Sequence, residues 1–305
     1  MSETVTEFAD DNQPISIRRD RWLIIGGIVF CALIGWALLA ILIRVHTASG
    51  VEIAALGPGM DLLVWGLGIV GFETIPGGFW GEICKAFAIG STPQQGVWVW
   101  QEVLLSLIMW QVMALAMMLP TAAPFIATYG DISSAARNKG LQQPSVSFFI
   151  TGYLMVWGGF AFLATGIQWA ISSGFTDIPV LINSTPVVGG GLLILSGLYQ
   201  WSALKEACLS ECRSPMRFFM NYWREGTTGA LVMGARHGLY CVGCCWALMA
   251  LMFVGGTMNL IWMAVLTVLM LLERILPSGR TFGRYAGGVL VVWGLMLLST
   301  GFINF

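Results

Sequence analysis

The stretch "GLYCVGCCWALM", residues 238–249, sets Cys241, Cys244 and Cys245 close together inside an otherwise apolar run. At about 100° per residue, positions three and four apart share a helical face, so His237, Cys241, Cys244, Cys245 and Met252 form one stripe. A run that carries thiols where a surface helix would carry charges reads as a membrane helix. The rest of the chain agrees. It is 57% hydrophobic and 10% charged, with mean hydropathy +0.78, against the roughly one-quarter charged residues of soluble domains.

Outward from this stretch, residues 22–43, 97–119, 147–171, 187–204, 238–254, 257–272 and 285–303 are apolar over lengths that reach, or nearly reach, across about 30 Å of hydrocarbon. The expected fold is an all-α, polytopic transmembrane helical bundle of about seven spans. Residues 1–21 form a cytoplasmic polar tail and 22–305 the transmembrane domain. "GGTMN", residues 255–259, leaves almost no loop, so the spans around it form a tight hairpin. With the N-terminus cytoplasmic and the C-terminus outside, every Lys and Arg except Arg44 and Lys85 falls on the cytoplasmic side, as the positive-inside rule requires. The run after "RRDR" is too long for a signal peptide and lacks an A-x-A cleavage site, so it reads as a retained anchor. Segment 45–96 is interrupted by Pro58, Asp61 and Glu73 and reads as an outer-side loop or interfacial segment.

This topology brings a second group of thiols to the same depth. In "YQWSALKEACLSECRSP", Cys208 and Cys212 are an i, i+4 pair on a helix that Pro215 ends. "MWQVMALAMMLP" adds Met113 and Met117 on one face, with Met109 above and Met118 beside them, and Pro120 and Pro124 placed to bend that helix. His237, predicted at the membrane boundary, stands one turn before Cys241. Soft thiolate and thioether donors favour Cu(I) and zinc. Helical Cys and Met facing an apolar interior suit a monovalent, low-coordination copper ion better than a four-ligand zinc cage. The candidate metal ligands are therefore Cys208, Cys212, Cys241, Cys244, Cys245, His237, Met113 and Met117, with Cu(I) preferred and zinc the alternative. Cys31 and Cys84, each alone, read as packing residues.

Other readings exclude themselves or remain as rivals. Glu206, Glu211 and Glu273 lie at span ends and read as solvated or paired with Lys205, Arg213 and Arg274. "GYLMVWGG", residues 152–159, offers a glycine-rich surface for close helix packing. No phosphate loop, Ser/His/Asp arrangement or basic nucleic-acid stripe is present. The rivals to simple metal handling are a metal transporter, a membrane thiol or haem enzyme, and a non-catalytic structural subunit.

As a set, "MWQVMALAMMLP", "GYLMVW", "GLYQWSALKEACLSECRSP", "GLYCVGCCWALM" and "GGTMNLIWM" resemble a bacterial family of metal-binding integral membrane proteins, some labelled copper chelating. The resemblance covers about residues 97–275. It implies a metal site at Cys208, Cys212, Cys241, Cys244 and Cys245, with Met113, Met117 and Met118 as additions. Together with the residues themselves, it leads us to expect a multi-pass protein of the bacterial inner membrane that handles or delivers Cu(I), or serves a membrane metalloenzyme. Its expected partners are the lipid bilayer and a metalloenzyme or metallochaperone, with no nucleic acid.

Overall fold

Helix follows helix because long apolar runs in a low-dielectric setting can satisfy their backbone only internally. The computed structural model describes residues 15–48, 100–138, 144–174, 185–255 and 259–303, and no strand occurs among them. The helices are α1 (Ile15–Ala48), α2 (Trp100–Asn138), α3 (Val146–Gly174), α4 (Thr185–Tyr199), α5 (Ala203–Cys212), α6 (Pro215–Tyr222), α7 (Gly226–Ala250), α8 (Met252–Gly255), α9 (Leu260–Ile275) and α10 (Gly279–Ile303). Segment 45–96 lies outside the described residues apart from the end of α1. So do Cys84, the N-terminal tail up to Pro14, and residues 256–258 of the expected hairpin.

Four helices contain stretches long and apolar enough to cross a membrane: Val103–Arg137 of α2, Val146–Ala170 of α3, all of α7, and Gly279–Ser299 of α10. A fifth is reached if α4 and α5, bent by 64° at their joint, count as one broken span. The expected seven would also need α1, whose described apolar stretch is Leu23–Leu39, and α9, which has 16 residues. Helix α9 falls short of the roughly 20 residues a span needs, whereas α1 is 34 residues long in all. Large apolar side chains such as Met155 and Phe162 on α3 and Val289 on α10 are well exposed, as expected where hydrocarbon replaces water.

Two local expectations are corrected. Helix α7 begins at Gly226, not near 238, so His237 lies eleven residues inside it and is fully buried. Arg236 beside it does not break the span, because its guanidinium lies 3.8 Å above the Tyr222 ring. Helix α2 continues through Pro120 and Pro124 to Asn138. Pro120 has no N–H for the Ala116 carbonyl, and Trp36 of α1 donates its indole N–H there instead, at 3.2 Å, so the backbone group that proline orphans is satisfied from a neighbouring helix.

Caps set the shorter elements. Ser202 accepts from the Lys205 N–H at 3.1 Å to open α5, and Pro215 occupies the first turn of α6. Asn259 accepts from Trp262 N–H at 2.9 Å to open α9. The principal packed pairs are α4 with α10, α3 with α7, α1 with α2, α2 with α3 and α5 with α7. At the α3–α7 crossing a Cβ on Gly234 would stand 2.0 Å from the Phe149 carbonyl oxygen, and one on Gly152 would stand 2.1 Å from that of Leu231. Of the glycine-rich surface expected on α3, Gly152 makes this contact, while Gly159 has nothing within 4 Å.

Candidate functional site

The face of α7 that glycine draws against α3 carries the thiols inward. Cys241, Cys244 and Cys245 are 0%, 3% and 2% exposed. Their sulfurs occupy a small, specific set of contacts. Cys241 Sγ lies 3.1 Å from the Tyr153 hydroxyl and accepts from Arg274 Nη2 at 2.9 Å. The same guanidinium nitrogen reaches Cys244 Sγ at 3.2 Å. Cys244 and Cys245 both donate to the Cys241 carbonyl oxygen, at 3.1 and 2.8 Å. Cys245 Sγ is 3.8 Å from Met118 Sδ.

Helix α2 supplies the facing wall through the turn that precedes its prolines. The Met118 carbonyl accepts from Thr121 at 2.8 Å and from the Tyr153 hydroxyl at 3.1 Å. Thr121 Oγ1 in turn receives Arg274 Nη1 at 2.7 Å. Tyr153, Thr121 and Arg274 thus tie α3, α2 and α9 to the thiol face of α7.

Of the residues singled out from sequence, Cys212 is buried in the same core, at the end of the helix α5 that packs on α7. Cys208 is half-buried and packs its sulfur onto Gly243, where an added Cβ would come within 2.6 Å of it. Met113 and Met117 are fully buried in the same core. His237 stacks on Phe125 with ring centroids 3.9 Å apart and is surrounded by Phe149, Tyr153 and Phe218. Neither of its ring nitrogens has a hydrogen-bond partner, an omission that costs about 1–3 kcal/mol for a buried polar group. The six cysteines among the described residues are free thiols. No group of three or more His, Cys, Asp or Glu side chains among the described residues is arranged to hold a metal ion. The sulfurs are instead directed at a guanidinium, a carbonyl and a thioether.

Sequence reasoning missed Arg274 and misjudged Glu273. Glu273 is buried, not solvated at a span end, and its partner is Lys205, whose Nζ lies 2.9 and 2.7 Å from the two carboxylate oxygens and also donates to Gln200 Oε1. The half-buried carboxylates pair differently from expectation: Glu211 with Arg217, and Glu206 with Arg280 and Arg284. Arg274, relieved of Glu273, is 8% exposed and turns to the thiols. Its position at the end of an apolar helix was the available signal. The identity of its partners, 30 to 153 residues away in sequence, was not.

No curated protein matches the chain, and no solved structure does. Residues 107–297 match the family described as "PpoB2: Copper chaperone", a span that runs from within α2 past Arg274 and includes every described cysteine except Cys31. The chain belongs to the PpoB2 copper chaperone family.

Proposed function

We propose that the chain is an integral membrane protein that accepts Cu(I) as cargo at the α7 thiols and hands it to a copper-using partner, such as a membrane metalloenzyme or a metallochaperone. The observation that carries this is the convergence of Cys212, Cys241, Cys244, Cys245 and Met118 in a buried core. Cys241 and Cys244 are the primary donors, with Cys245, Met118 and His237 beside them and Cys212 and Cys208 on the α5 side. Cys245 and Met118, their sulfurs 3.8 Å apart, set a thiol and a thioether beside these two donors. A cuprous ion needs few ligands, so the absence of a three-residue cage among the described residues fits it better than zinc. His237, unpartnered and one turn before Cys241, gains a partner in the loaded state.

The membrane reading is carried by four spanning-length helices and by the Lys and Arg distribution. That distribution supports seven spans in a bacterial inner membrane with the N-terminus cytoplasmic. A reporter active only outside the cytoplasm should work after Phe305 and fail after Gly140; activity at both would overturn this topology.

Metal analysis of detergent-purified protein loaded with Cu(I), beside the triple variant C241S/C244S/C245S, tests the site. Serine keeps the volume nearly constant and replaces a soft thiolate with a hard hydroxyl, so the variant should insert, fold and lose its copper. Unchanged copper in the variant defeats the reading, and zinc in place of copper in the parent corrects it.

One observation favours a second reading, transport. Met109 and Met113 on α2, Met249 on α7, Met252 on α8 and Met263 on α9 are all buried. From Met118 to Met109 the thioethers extend the soft donors about 13 Å along α2, at 1.5 Å per residue. Replacing Met109 and Met113 with Leu should leave copper binding intact and slow vesicle uptake if the ion travels this way.

A further inference from the structure

Resting on the copper reading above, we infer that Arg274 makes the thiol site selective for a monovalent soft cation over a divalent one, by fixing the charge that the cation must neutralise. Besides His237, the thiols and the phenols of Tyr129 and Tyr153, the buried ionisable groups among the described residues are Lys205, Glu273 and Arg274. Lys205 and Glu273 form an ion pair at 2.7 Å, each 3% exposed at its side chain, and cancel one another. Arg274 is left with one positive charge, and it places that charge on Cys241 and Cys244 at 2.9 and 3.2 Å.

Metal binding strips the protons from ligand thiols, so Cys241 and Cys244 contribute two negative charges to a loaded site. With Arg274 the balance is one negative charge. A monovalent ion brings the buried assembly to zero, whereas a divalent ion leaves one uncompensated positive charge in the core, where such charges are costly. Met118 and neutral His237 do not alter this count. Cys245, whose sulfur meets a thioether and a carbonyl, enters as a neutral thiol. Its Nη2 bridges the two sulfurs at 2.9 and 3.2 Å, so loading displaces that nitrogen while the guanidinium charge stays beside the thiolates. Arg274 is therefore a specificity-determining residue that never touches the ion.

The test is competition between silver(I), as the stable monovalent probe, and cadmium(II), on detergent-purified full-length protein, reading the ratio of bound metals by mass spectrometry. The parent should favour silver. Arg274→Lys keeps the charge and should keep the preference. Arg274→Met should shift the ratio toward cadmium by about a hundredfold, the scale set by an uncompensated buried charge. Lys205→Met makes no change at the sulfurs but leaves Glu273 unmatched; it should shift the ratio the same way, by less, and it decides the matter if Arg274→Met does not fold. An unchanged ratio in Arg274→Met or Lys205→Met, loss of both ions in Arg274→Met, or a cadmium preference in the parent overturns the inference while leaving the thiol site standing. A parent that binds neither ion overturns the copper reading beneath it.

Discussion

Two seams in this bundle bring helix backbones together at glycines. Between α4 and α10, Gly190 faces Gly294 and Gly197 faces Gly287: a Cβ added to any of the four would stand 2.6–2.8 Å from the opposing carbonyl oxygen. Between α3 and α7, Gly152 and Gly234 do the same at 2.0–2.1 Å. The surroundings differ. The α4–α10 pair shows Leu195, Val289 and Leu295 to the outside, and its closeness holds the two helices together, as small residues do between membrane helices. At the α3–α7 seam the same closeness sets Tyr153 against Cys241 and the aromatic box around His237. One device thus holds an arm in place at one seam and positions chemistry at the other.

The comparison can be broken at its strongest point first. Gly234→Leu forces a side chain into the Phe149 backbone and should cost more than about 4 kcal/mol, in the exceptional range for single substitutions. The readout is loss of folded, monodisperse protein in detergent. Gly190→Leu should cost about 2–3 kcal/mol and leave copper stoichiometry unchanged, because nothing at that seam touches the thiols. Equal loss of copper in both variants would erase the distinction between the seams.

Smaller changes sharpen it. Tyr153→Phe removes the hydroxyl that joins the Met118 carbonyl to Cys241 and should cost about 1–2 kcal/mol in thermal unfolding, with weakened copper retention at unchanged stoichiometry. Trp36→Phe leaves the Ala116 carbonyl without the donor that Pro120 cannot supply, at about 1 kcal/mol, and should not affect copper. Gly159→Leu, with open space around it, should lie within about 0.5 kcal/mol of the parent.

The all-α character and the inward thiol face of α7 were legible because the 3.6-residue period is written into residues 237–252. The convergence of the two cysteine segments was legible only in part. Both were expected at one depth, and Cys212 is buried in the same core as the α7 thiols, but Cys208 rests on Gly243 because that glycine leaves room for a sulfur. The true start of α7 was hidden by Arg236, whose charge argued for a loop until Tyr222 was found beneath it. Glu273 and Arg274 looked like a local pair because adjacency suggests it. On a helix consecutive residues point about 100° apart, and each found its partner on a different neighbour. Pro120 and Pro124 read as a bend at the end of the span 97–119, and the continuation of the helix past them was not legible because the donor that compensates Pro120 lies 80 residues away in sequence.

The 64° joint between α4 and α5 gives the molecule mechanical leverage. Helix α4 is locked to α10 by glycines, while α5 lies on α7 with Cys212 at its far end. Ten residues make a lever about 15 Å long, so a turn of about 10° at the joint carries the Cys212 end about 2.6 Å across the face of α7. Any force that shifts α10 in the plane of its surroundings is therefore delivered, amplified, to the edge of the thiol centre.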